Sequence, residues 1–242
     1  MSEVDPGLSI VLTLHREALT AAASLNSVIN SARASHCRHE IIISLDCADS
    51  ETIRVARDFS ATHEHTILNV VNFGDPAGSR NSAVGQCSGK YLAIVDGDDL
   101  VSLNYFAKHL HEADRLGPGY LIRPELIVTF GEELSFHTQY DERNGEVSRA
   151  LIFGTNPWAS PALGFKEVFQ AVPYSLTHAN GFGYEDWSWN CELKARGYRN
   201  AVANQTAYFY RRKSAAASRN SSSNDSMSIL PPNSLFEIRF SE

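Results

Sequence analysis

Four short apolar runs in the first hundred residues, each but the last followed by a stretch with helical spacing, constrain this chain more than any other feature. Leu8 to Leu14, Glu40 to Leu45, Thr66 to Val71 and Tyr91 to Val95 have the length of buried strands. Arg16 to Ala34 carries Leu19, Ala22, Ala23, Leu25, Val28 and Ile29 at helical spacing. A second helix runs from about Ser50 with Ile53, Ala56 and Phe59 on one face, and Ser79 to Gln86 is a third, shorter one. Strands alternating with helices demand right-handed crossovers, so the spacing predicts an α/β fold whose mostly parallel central sheet is flanked by helices.

The fourth run stops abruptly. Lys90-Tyr91-Leu92-Ala93-Ile94-Val95 leads straight into Asp96-Gly97-Asp98-Asp99. Side chains two apart on an extended chain point the same way, which puts Asp96 and Asp98 on one face. Clustered carboxylates suit a divalent cation, Mg²⁺ or Mn²⁺, that holds substrate phosphates, and open α/β sheets gather ligands at the carboxyl ends of their strands. From these four residues alone a hard-cation site and a plain acidic turn are equal readings.

The second half is less regular. Ser102 to Leu116 predicts an amphipathic helix; Leu126 to Phe130, Glu132 to Tyr140 and Arg149 to Phe153 read as antiparallel strands, forming a smaller antiparallel region. Lys166 to Val172 and a stretch from Glu185 to Gly197 read as helices, the latter with its glycine where a left-handed residue ends a helix. Ala201 to Asn204 and Ala207 to Arg212 are further strands. Ser214 to Ser228 is rich in Ser, Ala and Asn and reads as a mobile loop, with residues 229–242 as a tail.

A chain of 242 residues, 43% hydrophobic and 20% charged, supports one sizeable α/β domain. Its formal net charge of -7 argues against a nucleic-acid partner, while a local basic cleft for a diphosphate stays compatible with it. No apolar run approaches the ~20 residues of a membrane helix, and the N-terminus lacks the basic and apolar regions of a signal peptide. A cytoplasmic protein is therefore expected, with peripheral association at the inner face of a membrane left open. Cys37, Cys47, Cys87 and Cys191 lack zinc-like spacing and read as reduced thiols.

Taken in order, four stretches resemble the family-2 glycosyltransferases of the GT-A fold, inverting enzymes that use nucleotide-diphosphate sugars. Leu8 to Glu17 is similar to the opening strand that ends in an Arg-Glu pair, and Asp46 to Thr52 to the acidic turn after the second strand. Gly78-Ser79-Arg80-Asn81, Ser88-Gly89-Lys90-Tyr91 and Asp96-Gly97-Asp98 are similar to the Arg-Asn helix and the Asp-x-Asp motif. Gly183-Tyr184-Glu185-Asp186-Trp187 matches the Glu-Asp motif.

The resemblance implies a single GT-A domain with a Rossmann-like sheet, residues 1–99 holding the donor and 100–213 shaping the acceptor side. It implies Asp98 as a ligand of the metal that bridges the donor diphosphate, and Asp96 near ribose and metal. Thr13, Glu17, Asp46, Arg80 and Arg211 are implied to hold the donor. Asp186 becomes the general base for the acceptor hydroxyl, kept ionised by its place at a helix start, and Glu185 either contacts the acceptor or braces the site. Asp99 is either a second ligand or a helix N-cap.

The expected partners are a nucleotide-diphosphate sugar and a glycan, lipid-linked or other hydroxyl acceptor, in cell-surface or other glycan assembly. The chain departs from the family at Asp46-Cys47, where many members have two Asp, and at Leu12-Thr13-Leu14-His15, which lacks a stacking Tyr. Asp46 or Asp49 remains available to read a base. Near the end, Tyr208-Phe209-Tyr210-Arg211-Arg212-Lys213 stands where many members have a metal-binding His. It fits better a variant with Tyr-Arg followed by a serine such as Ser214 or Ser218, making Arg211, Arg212 and Lys213 candidates for grasping the diphosphate. Of Trp187 and Trp189 one is expected to face the cleft, and Asn156 to Pro161 either lines the acceptor side or does not. A non-catalytic sugar- or nucleotide-binding module is the alternative to an enzyme; a phosphohydrolase fits less well, since its nucleophilic Asp would follow the first strand.

Overall fold

The computed structural model describes residues 7–176 and 184–213, with Ser234, Glu237 and Ile238. The expected mobile loop at Ser214 to Ser228, most of the tail and Gly183 lie outside them. The first four strands are β1 (Leu8–Leu14), β2 (His39–Asp46), β3 (Thr66–Val71) and β4 (Tyr91–Asp96); all their mutual pairings, β1 with β2 and β4, and β2 with β3, are parallel. β1, β2 and β4 read as apolar runs because helices cover both their faces, while β3 at the sheet edge has no buried residue. Ile10, Leu12 and Leu14 of β1 pack under α1 (Ala18–Ala34), α2 (Ser50–Thr62) and α4 (Tyr105–Leu116). Val11 faces the opposite layer with α3 (Pro76–Val84), α6 (Lys166–Ala171) and α7 (Glu185–Ala195).

Across β4 the sheet changes character. Its order is β3-β2-β1-β4-β8-β6-β9-β5, with β7 (Ser135–Thr138) paired to β6 (Tyr120–Gly131). β8 (Ala162–Phe165) runs antiparallel to β4, and β5 (Leu100–Val101) antiparallel to β9 (Arg199–Arg212). Several expectations are corrected here. β6 begins at Tyr120 rather than Leu126; it pairs antiparallel with β7, as expected for that region, and in parallel with β9, and Pro124, which cannot donate to a ladder, sits at the register shift that hid its first half. The two expected C-terminal strands are one, bent where Gln205 takes φ 63°. Arg149 to Phe153 is not a strand but α5 (Arg149–Gly154), capped by Ser148 Oγ, which accepts from Leu151 N at 3.1 Å. β8 was not foreseen. No helix among the described residues is long and apolar enough to cross a membrane.

Candidate active site

A cleft of about 820 Å³ opens at the carboxyl ends of β1 and β4 and reaches the start of α7. Its floor is the acidic turn. β4 ends at Asp96, and the Asp99 N–H closes the turn on Asp96 O at 3.1 Å, so Asp96 and Asp98 are not on one extended strand as expected. Both line the cleft all the same. Gly97 permits the turn's close approach: a Cβ there would lie 2.6 Å from Thr13 O and 2.1 Å from Leu14 Cδ2.

Arg80, 4% exposed, joins the two acidic motifs. Its Nη2 donates to Asp96 Oδ1 at 3.0 Å and its Nη1 to Glu185 Oε1 at 2.9 Å, with its guanidinium 5.3 Å from the Tyr174 ring. Burial opposes its charge, but the two carboxylates outweigh burial and hold it firmly protonated. Burial likewise opposes the charge of Asp96, and Arg80 with the Thr13 hydroxyl, 3.1 Å away, leaves that carboxyl below its ordinary range.

Asp98 differs. Burial pushes its carboxyl up, against the pull of Lys213, whose Nζ lies 2.9 Å from Asp98 Oδ2 and 3.2 Å from Glu17 Oε1. Glu17 Oε2 also accepts from His15 N. Arg211 donates from Nε to Asp98 O at 3.2 Å and stacks 4.6 Å from Phe130, while Arg212 pairs with Glu133 at 3.4 Å on the cleft's rim, both lining it. Asp99 is no N-cap, since Asn104 takes that position in α4. It is buried behind the turn, where its Oδ1 accepts from Arg211 N at 2.7 Å and ties β9 to the acidic turn.

The residues expected to read a base are otherwise engaged. Asp49 caps α2, accepting from Thr52 N at 2.8 Å. Asp46 lines the cleft and accepts from the backbone N–H of Phe73, Gly74 and Asp75 at 2.7, 2.9 and 3.0 Å. It thereby holds the loop that leads into α3.

At the far wall the chain enters α7 through Tyr184, held at φ 62°, a left-handed conformation that costs a non-glycine residue about 1–2 kcal/mol. Asp186 follows in the first turn. Its Oδ1 accepts from Trp187 N at 2.8 Å and its Oδ2 from Asn156 Nδ2 at 2.9 Å. Burial first, then the neighbouring Glu185 charge, push the carboxyl up to about 6, against the pull of the Trp187 N–H at the helix start. Neither tryptophan of the helix lines the cleft. Trp189 stacks on Tyr174 at 4.5 Å in the core, and Trp187 donates to Ile152 O at 2.8 Å. Trp158 is buried too, while Asn156, Ala159, Ser160 and Pro161 around it line the cleft. His137 also lines it, and no spacing in the sequence marks it.

Among the described residues no three His, Cys, Asp or Glu side chains converge as a ready metal cage. The acidic turn still fits a divalent cation that completes its shell with substrate phosphates, because Asp98 is a buried carboxylate whose one ion-pair partner among the described residues is the Lys213 ammonium.

Residues 9–160 match the family model described as Glycosyl transferase family 2. The chain belongs to glycosyl transferase family 2. EpsE of Bacillus subtilis (strain 168), a protein named as a glycosyltransferase, is 26% identical over 132 residues, 51% of this chain and 46% of its own length. The fold is shared with solved structures. TarS 1-349 of S. aureus, in complex with UDP, superposes with a TM-score of 0.61 at 15% identity, covering 86% of this chain and 61% of that one. The mannosyltransferase PcManGT of Pyrobaculum calidifontis, in complex with GDP-Man and Mn²⁺, does so with a TM-score of 0.56 at 15% identity, covering 86% and 57%. The family-2 chain described here thus spans about half the length of its curated relative and less than two thirds of these solved chains. The expected GT-A α/β architecture is borne out.

Proposed function

We propose that this family-2 domain transfers a sugar, with inversion, from a nucleotide-diphosphate sugar to a hydroxyl acceptor, in glycan assembly on the cytoplasmic side of the cell. The observation that supports it most is the single cleft in which Arg80 links Asp96 of the acidic turn to Glu185, beside Asp186. One end of that cleft is built for a diphosphate and the other for proton transfer.

At the donor end, Thr13, Glu17, Asp46 and Asp96 border the nucleoside side, with Arg211 and Lys213 offering cationic groups to the phosphates. Asp98, with Asp96 beside it, would hold Mg²⁺ or Mn²⁺, which supplies neutralisation of the departing diphosphate's charge. At the other end Asp186 takes the proton of the acceptor hydroxyl. The acceptor oxygen bonds to the anomeric carbon from the face opposite the leaving group, the bond from that carbon to the phosphate oxygen breaks, and its electron pair leaves with the nucleoside diphosphate. A carboxyl near 6 is a stronger base than an ordinary aspartate yet still ionised at neutral pH. Glu185, clamped by Arg80, braces the site rather than sharing the proton.

Thermal shift against UDP, GDP, UDP-GlcNAc and GDP-mannose, with and without Mn²⁺, followed by measurement of nucleoside diphosphate release, tests the reading. A Mn²⁺-dependent shift with release of UDP or GDP is the expected result; release of inorganic phosphate instead would contradict it.

A further inference from the structure

Arg123 is a buried charge whose compensation is all neutral, with its guanidinium 5.8 Å from the Trp189 ring. It lies in β6, 0% exposed, and among the described residues no carboxylate is within ion-pair distance of it. A buried charge is costly unless compensated. Its donors go instead to neutral oxygens: Nε to Asn200 Oδ1 at 2.8 Å, Nη1 to Ala159 O at 2.8 Å and Pro161 O at 3.3 Å, and Nη2 to Asn190 Oδ1 at 2.7 Å. The last of these begins a chain. Asn190 Nδ2 donates to Asn156 Oδ1 at 2.9 Å and to Trp158 O at 3.0 Å, and Asn156 Nδ2 donates to Asp186 Oδ2 at 2.9 Å.

The direction of that chain is fixed at both ends, by a guanidinium at one and a carboxylate at the other. A guanidinium has donors and no acceptor, so Asn190 must present its carbonyl to Arg123 and its amino group to Asn156. Asn156 must in turn present its carbonyl to Asn190 and its amino group to Asp186. Either amide flipped would set donor against donor. The bonds are also cooperative, each polarised by the buried positive charge at the origin. We propose that Asn156 is a positioning residue for Asp186, its donor held on one carboxylate oxygen from the core by Arg123 through Asn190. Resting on the reading of Asp186 as the base, this explains why an arginine is kept inside the sheet: it locks the carboxylate's rotation and leaves its remaining lone pairs to the cleft.

The test uses Asn156→Ala, with Asn156→Ser as the second variant if the first does not fold. Turnover is followed as UDP or GDP release from UDP-GlcNAc or GDP-mannose with Mn²⁺, water serving as acceptor, and affinity as calorimetric Kd for UDP or GDP. The expected result is kcat lowered about 10- to 100-fold, the span of one hydrogen bond to a charged group, with nucleotide Kd within about twofold of wild type. In an Asp186→Asn background the same substitution should change the residual rate by less than about twofold, because the two residues act as one unit. An unchanged kcat, or an undiminished effect in the Asp186→Asn background, would overturn the positioning role while leaving Asp186 as base. Full activity of Asp186→Asn itself would remove the base reading, and the positioning role with it.

Discussion

Asp186 carries two opposite pH signatures. Its folded-state carboxyl near 6 lies above the ordinary 3.8, so its contribution to stability is complete below about pH 4 and lost as pH rises through 6. At pH 7.5 the buried charge is a cost, so the Tm of Asp186→Asn relative to wild type should stand higher at pH 7.5 than at pH 4, by about 2–4 °C for each kcal/mol relieved, over a pH-independent cost of setting the new amide against the Asn156 amino group. Scanning calorimetry at the two pH values checks this; equal Tm differences at both would contradict it. Catalysis runs the other way, since the base must be ionised: kcat/KM should fall about tenfold per pH unit below 6 and level off above it. Lys213 offers a third residue-scale expectation. Its ammonium lies between Glu17 and Asp98, so Lys213→Met should tighten Mn²⁺ binding without nucleotide about fivefold, the equivalent of an ion pair worth about 1 kcal/mol. Electron paramagnetic resonance titration reads this directly, and weaker binding would show that the lysine does not compete with the cation.

At the scale of elements, the acidic turn is only as good as its seat on β1. Gly97→Ala would drive a methyl group against Thr13 O, a backbone atom that cannot swing away, so the turn must lift. The expected outcome is a loss of about 1–3 kcal/mol in denaturant unfolding together with weaker nucleotide binding; wild-type values for both would show that the turn has room. The same scale explains which elements could be read in advance. β1, β2 and β4 are sandwiched between helix layers and therefore spell themselves out as apolar runs, whereas β3, at the sheet edge, is read from its β-branched residues although Ile67 and Val70 are exposed. Ala162-Leu163-Gly164-Phe165 carries no such mark, being short and held in place by β4 and β6 rather than by its own propensity. Leu151-Ile152-Phe153 looks like strand, yet only Ile152 of α5 is buried, and the Ser148 cap decides for helix.

For the whole molecule the decisive contacts are those that cross the chain. Each acidic motif is local and was legible as such. That Arg80 joins them by reaching Glu185 across 105 residues of chain, that Lys213 meets Asp98, and that a core arginine reaches Asp186 through two amides are products of tertiary folding with no sequence signature. Because Arg80 is buried between two carboxylates, Arg80→Met should cost about 3–5 kcal/mol and weaken nucleotide binding as well. Arg80→Lys should not restore function, as one ammonium cannot span both partners. Unfolding curves and calorimetry check both variants, and a stable Arg80→Met that binds nucleotide normally would deny the arginine its bridging role.

The central claim is that one cleft divides its labour, the acidic turn holding the donor and Asp186 taking the acceptor proton. Nucleotide affinity and sugar transfer measured side by side for Asp186→Asn and Asp98→Asn test it most directly. For Asp186→Asn the account predicts a near wild-type Kd for the nucleoside diphosphate with Mn²⁺ and transfer lowered by roughly 10²-fold or more; for Asp98→Asn it predicts loss of binding itself. Sugar transfer by Asp186→Asn at the wild-type rate would contradict it.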